Sequence, residues 1–182
     1  ALGVVALGIA AFLGEAFLGV VLFYIGLSLS YSLKLKRMRW IDIATLATLY
    51  TLRVVAGAMA AQVIVSGYLL VFIFPLFLTL GCVKRMTELA LASSDARLPG
   101  RGYGRADRGD LLNVAVLGEI GALATFFQYS FSRQAEALYS TRWLLWLALV
   151  PLGLWMLRMI RLGYLGKQDY DPIVFAMRDP RG

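Results

Sequence analysis

The chain has 182 residues, 60% of them hydrophobic and 16% charged, with a formal net charge of +7 and a mean hydropathy of +0.73. That balance excludes an ordinary soluble domain. With no histidine and one cysteine, it also excludes histidine catalysis, histidine metal sites and any disulfide within the chain.

In chain order, several apolar runs approach the roughly 20 residues that cross a bilayer core. Ala1 to Gly14 is apolar from its first residue and lacks the charged start and cleavage site of a signal peptide. It reads as the tail of a helix that begins upstream, which makes the chain a fragment. Glu15 marks a polar break, and a second run covers 16–33, ending in Lys34-Leu35-Lys36-Arg37-Met38-Arg39. A third run spans 40–62, with Asp42 near its start and Arg53 near its centre. A fourth covers 67–83 and stays helical to 91 through Lys84-Arg85-Met86-Thr87-Glu88-Leu89. A polar loop rich in Gly and Arg occupies 92–109, the fifth segment covers 110–131 and the sixth 143–161. A polar tail, 162–182, closes the chain, with Val174-Phe175-Ala176-Met177-Arg178 as a short amphipathic piece at the membrane surface. The fold expected is all-α: a polytopic transmembrane bundle of five full spans plus the end of one more, all within one domain over 1–182.

The basic residues order these segments. Fifteen of the eighteen Lys and Arg fall after the second and fourth segments or in the end of the last helix and the tail. Arg133 and Arg142 lie on the other side, and Arg53 alone lies within the membrane. By the positive-inside rule the basic loops and the C-terminus are cytoplasmic and the protein is multi-pass in the inner (plasma) membrane. Orientation and attraction to anionic membrane lipid account for the positive charge, so no nucleic-acid partner is expected. Trp40, Tyr139, Trp143 and Trp146 lie at segment ends as interfacial anchors, and Cys82, in an apolar run, is a packing residue.

Arg53 is costly where it stands, since a charge at the centre of a membrane helix costs roughly 2.5–3.5 kcal/mol on insertion scales. Three tasks would justify it: facing a cavity, pairing with a buried acid, or holding an anionic substrate. Asp42 lies three helical turns earlier on nearly the same face, roughly 16 Å away along the axis. The two would line one cavity at two depths, or Arg53 would pair with an acid on another helix. Lys84 and Glu88 stand at i and i+4 and are able to pair. With Arg85 they are either a helix-end cluster, or cations for phosphate with a carboxylate that holds Mg²⁺ or orients them. The loop Leu98-Pro99-Gly100-Arg101-Gly102-Tyr103-Gly104-Arg105 places arginines among glycines, which suits phosphate binding or a plain flexible connector. Glu119 is a membrane-buried acid that invites a function or a partner, and Arg53 is a candidate. Any metal would be a hard, oxygen-liganded cation such as Mg²⁺.

Together, Tyr31-Ser32-Leu33-Lys34-Leu35-Lys36-Arg37, Asp42 and Leu49-Tyr50-Thr51-Leu52-Arg53-Val54-Val55-Ala56-Gly57 resemble the UbiA prenyltransferase superfamily. Lys84 to Leu89 and Asp171 to Asp179 add to the match. Within the superfamily the chain looks most like the decaprenyl-phosphate phosphoribosyltransferase-like branch. The resemblance implies a UbiA-type helical bundle that binds a polyprenyl phosphate or diphosphate, usually with Mg²⁺ held by aspartates on two helices. The first aspartate-rich string, NDxxDxxxD, is not found in these residues; the resemblance implies a place for it upstream of them. Where the second would fall stand Lys84, Arg85 and Glu88, with Asp95 further on. A basic replacement suits a second phosphorylated substrate, phosphoribosyl diphosphate, better than an aromatic one. Arg53, Lys84, Arg85, Arg101 and Arg105 are then the phosphate-binding candidates, and Asp42 and Glu88 organise metal or cations. The competing expectation is a non-catalytic membrane lipid-binding or transport subunit with the same bundle. On either reading the isolated piece is expected to be inactive.

Overall fold

The computed structural model describes residue 8 and residues 10–92 and 100–167. The amphipathic tail segment, Asp95 and the tail aspartates lie outside them. Gly14, at φ 119°, interrupts the first apolar stretch, so helix α1 (Glu15–Leu33) starts with Glu15 in its first turn, where an acid suits the helix dipole. Glu15 is therefore part of the span rather than a break before it. A 3-10 turn, Leu35–Arg37, leads into α2 (Arg39–Ala60). Helix α3 (Gly67–Leu91) is capped by Ser66, whose hydroxyl oxygen accepts from the Leu69 N–H at 3.1 Å. A second 3-10 turn, Arg105–Asp107, precedes α4 (Arg108–Tyr129). The short α5 (Arg133–Leu138) was not expected; Ser132 caps it by accepting from the Ala135 N–H at 3.1 Å. The last helix, α6 (Trp143–Tyr164), runs three residues past its expected end at 161.

The described residues are all helix and turn, with no strand, and five helices are long and apolar enough to cross a membrane. The chain is thus read as a membrane-spanning helical protein. Helix α3 is central: it packs on α2, α4 and α6, while α1 packs chiefly on α2 and buries none of its residues.

Apolar burial alone does not drive helix association in lipid, so small residues and polar contacts fix the crossings. Pro75 and Thr79 on α3 face Ala115 and Gly118 on α4. The Thr79 hydroxyl shares its proton between the carbonyls of Pro75 and Ala115, each at 3.0 Å. A Cβ on Gly118 would stand 2.5 Å from Thr79 Oγ1 and 3.0 Å from the Pro75 carbonyl. Gly163 plays the same part for α6, where a Cβ would meet Val83 Cγ1 at 2.8 Å. Cys82 is buried in the core with Ile43, Met86 and Leu111.

The connection after α1, the loop before α4 and the end of α6 meet at one end of the bundle. Arg39 at the start of α2 pairs with Asp107 at 3.0 Å and with Asp110 on α4. Arg108 donates to the Tyr164 carbonyl at the end of α6 and lies over the Tyr164 ring. This is the end rich in basic residues.

Candidate functional site

Helix α3 presents Arg85 inward near its basic end, where Asp42 arrives from the first turn of α2. Both side chains are fully buried. Arg85 Nε donates to Asp42 Oδ2 at 2.5 Å, and its Nη2 donates to Oδ1 at 3.1 Å. Glu88, one turn along α3, accepts from Arg85 Nη1 through Oε2 at 2.5 Å. Tyr31, near the end of α1, donates its hydroxyl proton to Asp42 Oδ1 at 2.9 Å. The same hydroxyl oxygen accepts from Arg85 Nη2 at 3.1 Å. A charge taken out of water needs this degree of pairing, because an unpaired buried ion is far costlier than an exposed one.

A second guanidinium comes from the loop. Arg101 Nη1 donates to Tyr31 Oη at 3.0 Å and to Asp42 Oδ1 at 3.1 Å, with its side chain 23% exposed. Its Nε and Nη2 meet no acceptor among the described residues. The loop reaches this place because Gly102 lies against the backbone of the α1–α2 connection. A Cβ there would stand 2.8 Å from both the Arg37 carbonyl oxygen and the Arg39 nitrogen. Asp107 ties the loop down from the other side, accepting from the Gly104 N–H at 2.8 Å and from Arg39. Tyr103 inserts its ring beneath, edge-on to Trp40 at 6.5 Å. Burial, with the Asp42 carboxylate nearby, raises the Tyr103 phenol above its ordinary range.

Four of the expected site residues, Asp42, Arg85, Glu88 and Arg101, therefore form one cluster of two guanidinia and two carboxylates. Others do not join it. Glu88 pairs with Arg85 at i+3, not with Lys84 at i+4, because Arg85 is on the buried face of α3 and Lys84 is only half-buried. Arg105 is exposed and donates to the Ala92 carbonyl at 3.1 Å.

Arg53 is the larger departure. It faces α1, as Asp42 does, but it meets Tyr24 where Asp42 meets Tyr31. Its Nε and Nη2 donate to Tyr24 Oη at 3.0 and 2.6 Å, and its guanidinium lies 4.9 Å from the Tyr50 ring centroid. The two residues do not line one cavity, and the groove beside Arg53, about 230 Å³, is bordered by Val20, Val21, Tyr24, Leu52 and Ala56. Nor is Glu119 the partner of Arg53. Glu119 is 4% exposed within the bundle, and its Oε2 meets no hydrogen-bond donor among the described residues.

Asp42 and Glu88 are the residues expected to organise Mg²⁺ or cations. Their surroundings in this arrangement suit cations of the protein and do not fit Mg²⁺. Both Asp42 oxygens accept from guanidinium or phenol donors, two guanidinia stand within bonding distance of Asp42, and no group of three potential ligands exists among the described residues. Of the four oxygens of Asp42 and Glu88, Glu88 Oε1 alone is without a hydrogen-bond partner among the described residues. The carboxylates here hold cations that belong to the protein. Spacing did not reveal Tyr31, Arg39 and Asp107. The connection of five residues between α1 and α2 is the signal for the first, since it forces Tyr31 to face the start of α2.

No protein-family model matches the chain. Among curated proteins it is similar to the uncharacterized protein y4nM of Sinorhizobium fredii, 30% identical over 178 residues. That match covers 95% of this chain and 34% of the relative. It is also similar to the nodulation protein NoeC of Azorhizobium caulinodans, 29% identical over 172 residues, covering 91% of this chain and 55% of the relative. The chain thus spans only part of the length of either curated protein.

Proposed function

We propose that this chain is the phosphate-holding part of an integral membrane transferase of the UbiA type, acting on a polyprenyl phosphate or diphosphate. One observation carries the reading: Arg101 is brought from a loop onto Asp42, and its outer guanidinium nitrogens are left without acceptors among the described residues at the basic end of the bundle. Two vicinal N–H donors on a fixed guanidinium match the geometry of a phosphate. Arg85, with every nitrogen engaged, is a positioning residue that holds Asp42 under Arg101. Lys84 and the exposed Arg105 add positive potential around the same mouth.

In this reading the basic end and the C-terminus face the cytoplasm in the plasma membrane, where three basic segments agree. A lipid phosphate enters from the headgroup level and docks on Arg101. The second substrate is a small aromatic or, as the basic character of 84–85 favours, phosphoribosyl diphosphate. With phosphoribosyl diphosphate, an oxygen of the lipid phosphate bonds to the anomeric carbon as that carbon's bond to diphosphate breaks; with an aromatic acceptor, a ring carbon bonds to the allylic carbon of a polyprenyl diphosphate as diphosphate leaves and the ring loses a proton. Fixed cations stabilise the departing diphosphate in both. The described residues supply no ligand set for Mg²⁺, so its effect is a variable of the assay.

A second reading, a non-catalytic lipid-binding or transport subunit, is favoured by the mutual saturation of Arg85 and Asp42, which needs no substrate. The experiment uses the full protein in proteoliposomes with polyprenyl phosphate and labelled phosphoribosyl diphosphate, or with polyprenyl diphosphate and an aromatic acceptor, each with and without Mg²⁺. Arg101→Ala is expected to lower transfer at least tenfold while Arg101→Lys recovers part of it. Near wild-type transfer by folded Arg101→Ala overturns the assignment of Arg101. Lipid phosphate binding without transfer under any condition selects the second reading.

A further inference from the structure

We infer that the outer groove between α1 and α2 at Arg53 is the docking site for a transmembrane helix that carries a carboxylate at mid-bilayer depth, supplied from outside these 182 residues. The inference does not rest on the phosphate reading, because Arg53 lies away from that cluster. Its basis is an exposed cation held at the centre of the membrane. Tyr24, which grips the guanidinium with its hydroxyl, stands nine residues from either end of α1. The charge is therefore fixed at mid-depth and does not extend toward the headgroups as a surface-seeking arginine would. Tyr24 and Tyr50 offer a hydroxyl and ring faces, but neither neutralises the charge.

The described residues do not supply the counter-ion. Arg53 meets no carboxylate among them, and their one acid near mid-span of a helix, Glu119, is 4% exposed within its own bundle. A second copy of this chain would have to offer that same buried acid, so it is a poor occupant. A lipid phosphate is a poor one too, since headgroups lie at the interface while the guanidinium is roughly 13 Å from either end of α1 at 1.5 Å per residue. The groove has the right form for a helix. It is shallow and walled by Val20, Val21, Leu52 and Ala56, with a cation at its side. Helix α1 also buries none of its own residues. A helix bearing Asp or Glu would cover apolar surface and neutralise the guanidinium in one contact, as paired charges inside membranes do.

The test places the photo-crosslinker p-benzoylphenylalanine at Ala56 in the protein expressed in its own membrane and maps each adduct by mass spectrometry. The expected adduct is an apolar membrane helix with Asp or Glu within one turn of the linked residue. Arg53→Leu should lower its yield at least tenfold and Arg53→Lys should retain most of it. Arg53→Glu should lose the adduct, and exchanging the mapped acid for Lys should restore it. Gel filtration in detergent confirms that each variant is folded, which Arg53's position on the outside permits. Adducts with phospholipid alone, with a second copy of this chain, or with a helix lacking an acid overturn the inference, as does a yield indifferent to Arg53→Leu.

Discussion

Arg85 meets Asp42 edge-on across the contact of α3 with α2, its Nε and Nη2 each bonded to a different carboxylate oxygen, at 2.5 and 3.1 Å, with neither side chain exposed. The fork makes the pair directional. Glu88 answers the remaining edge of Arg85, and Arg101 answers the remaining capacity of Asp42, so two positive and two negative charges close on each other. The cluster ties three helices and a loop together, since Tyr31 from α1 shares the same carboxylate.

Removing Asp42 should therefore be severe. Asp42→Ala leaves the buried guanidinium of Arg85 with one carboxylate and releases Arg101. Breaking one partner of a buried pair costs about 3–5 kcal/mol. Asp42→Asn should cost less, because its amide oxygen still accepts one of the donors. Denaturant titration in mixed micelles reads both; a loss below about 1 kcal/mol for Asp42→Ala would show that the pair behaves as a solvated one.

Gly102→Ala should detach the loop without touching a charge. The added methyl meets backbone on two sides, Arg37 O and Arg39 N at 2.8 Å, and backbone cannot rotate away. Overpacking of this kind typically costs about 1–3 kcal/mol. Arg101 and Tyr103 flank the glycine, so both should leave their places. Limited trypsin cleavage at Arg101 is the readout, and it should become several-fold faster in Gly102→Ala. Unchanged protection would mean that the loop is held by Asp107 alone.

The spans were legible in the sequence because length and hydropathy leave a bilayer-crossing segment few alternatives. Cys82 and the polar ends of segments were legible for the same reason. Partner choice was not. Helical spacing offered Lys84 to Glu88, but a contact 43 residues away in sequence, Arg85 with Asp42, decides which face of α3 is buried. Arg53 was recognisable as costly, whereas its neighbours Tyr24 and Tyr50 carry no charge and so gave no signal. The six-residue α5 rests on one cap, Ser132, in a stretch too short for periodicity to show.

Gly118 and Gly121 should separate sharply although they are one turn apart on α4. A Cβ on Gly118 would fall 2.5 Å from Thr79 Oγ1 and 3.0 Å from the Pro75 carbonyl, whereas on Gly121 its closest neighbour is Pro75 Cβ at 4.0 Å. Gly118→Ala should push α4 off α3, break the shared Thr79 hydrogen bond and cost about 1–3 kcal/mol. Gly121→Ala should be neutral or stabilising by several tenths of a kcal/mol, since Ala favours a helix over Gly. Thermal unfolding of both variants in one detergent decides it, and equal effects would contradict the close crossing.

Tyr103→Phe should change the alkaline behaviour of the fold. The ring is buried against Trp40, and its hydroxyl meets no partner among the described residues. Unfolded, the phenol ionises near its ordinary value of 10.0; folded, burial and the nearby Asp42 carboxylate keep it protonated to higher pH. The folded state then binds more protons than the unfolded state above pH 10, so stability is full below that value and falls as pH rises beyond it. Phenylalanine has no proton to hold, so the variant should lose less stability than the parent between about pH 8 and about pH 11. Near neutrality the same substitution removes a hydroxyl that makes no hydrogen bond, and the expected change is within about 1 kcal/mol, toward stabilisation. Unfolding measured at both pH values for parent and variant tests the pair of expectations. A variant that falls as steeply as the parent would mean that the Tyr103 phenolate reaches water or a hydrogen-bond donor in the folded protein.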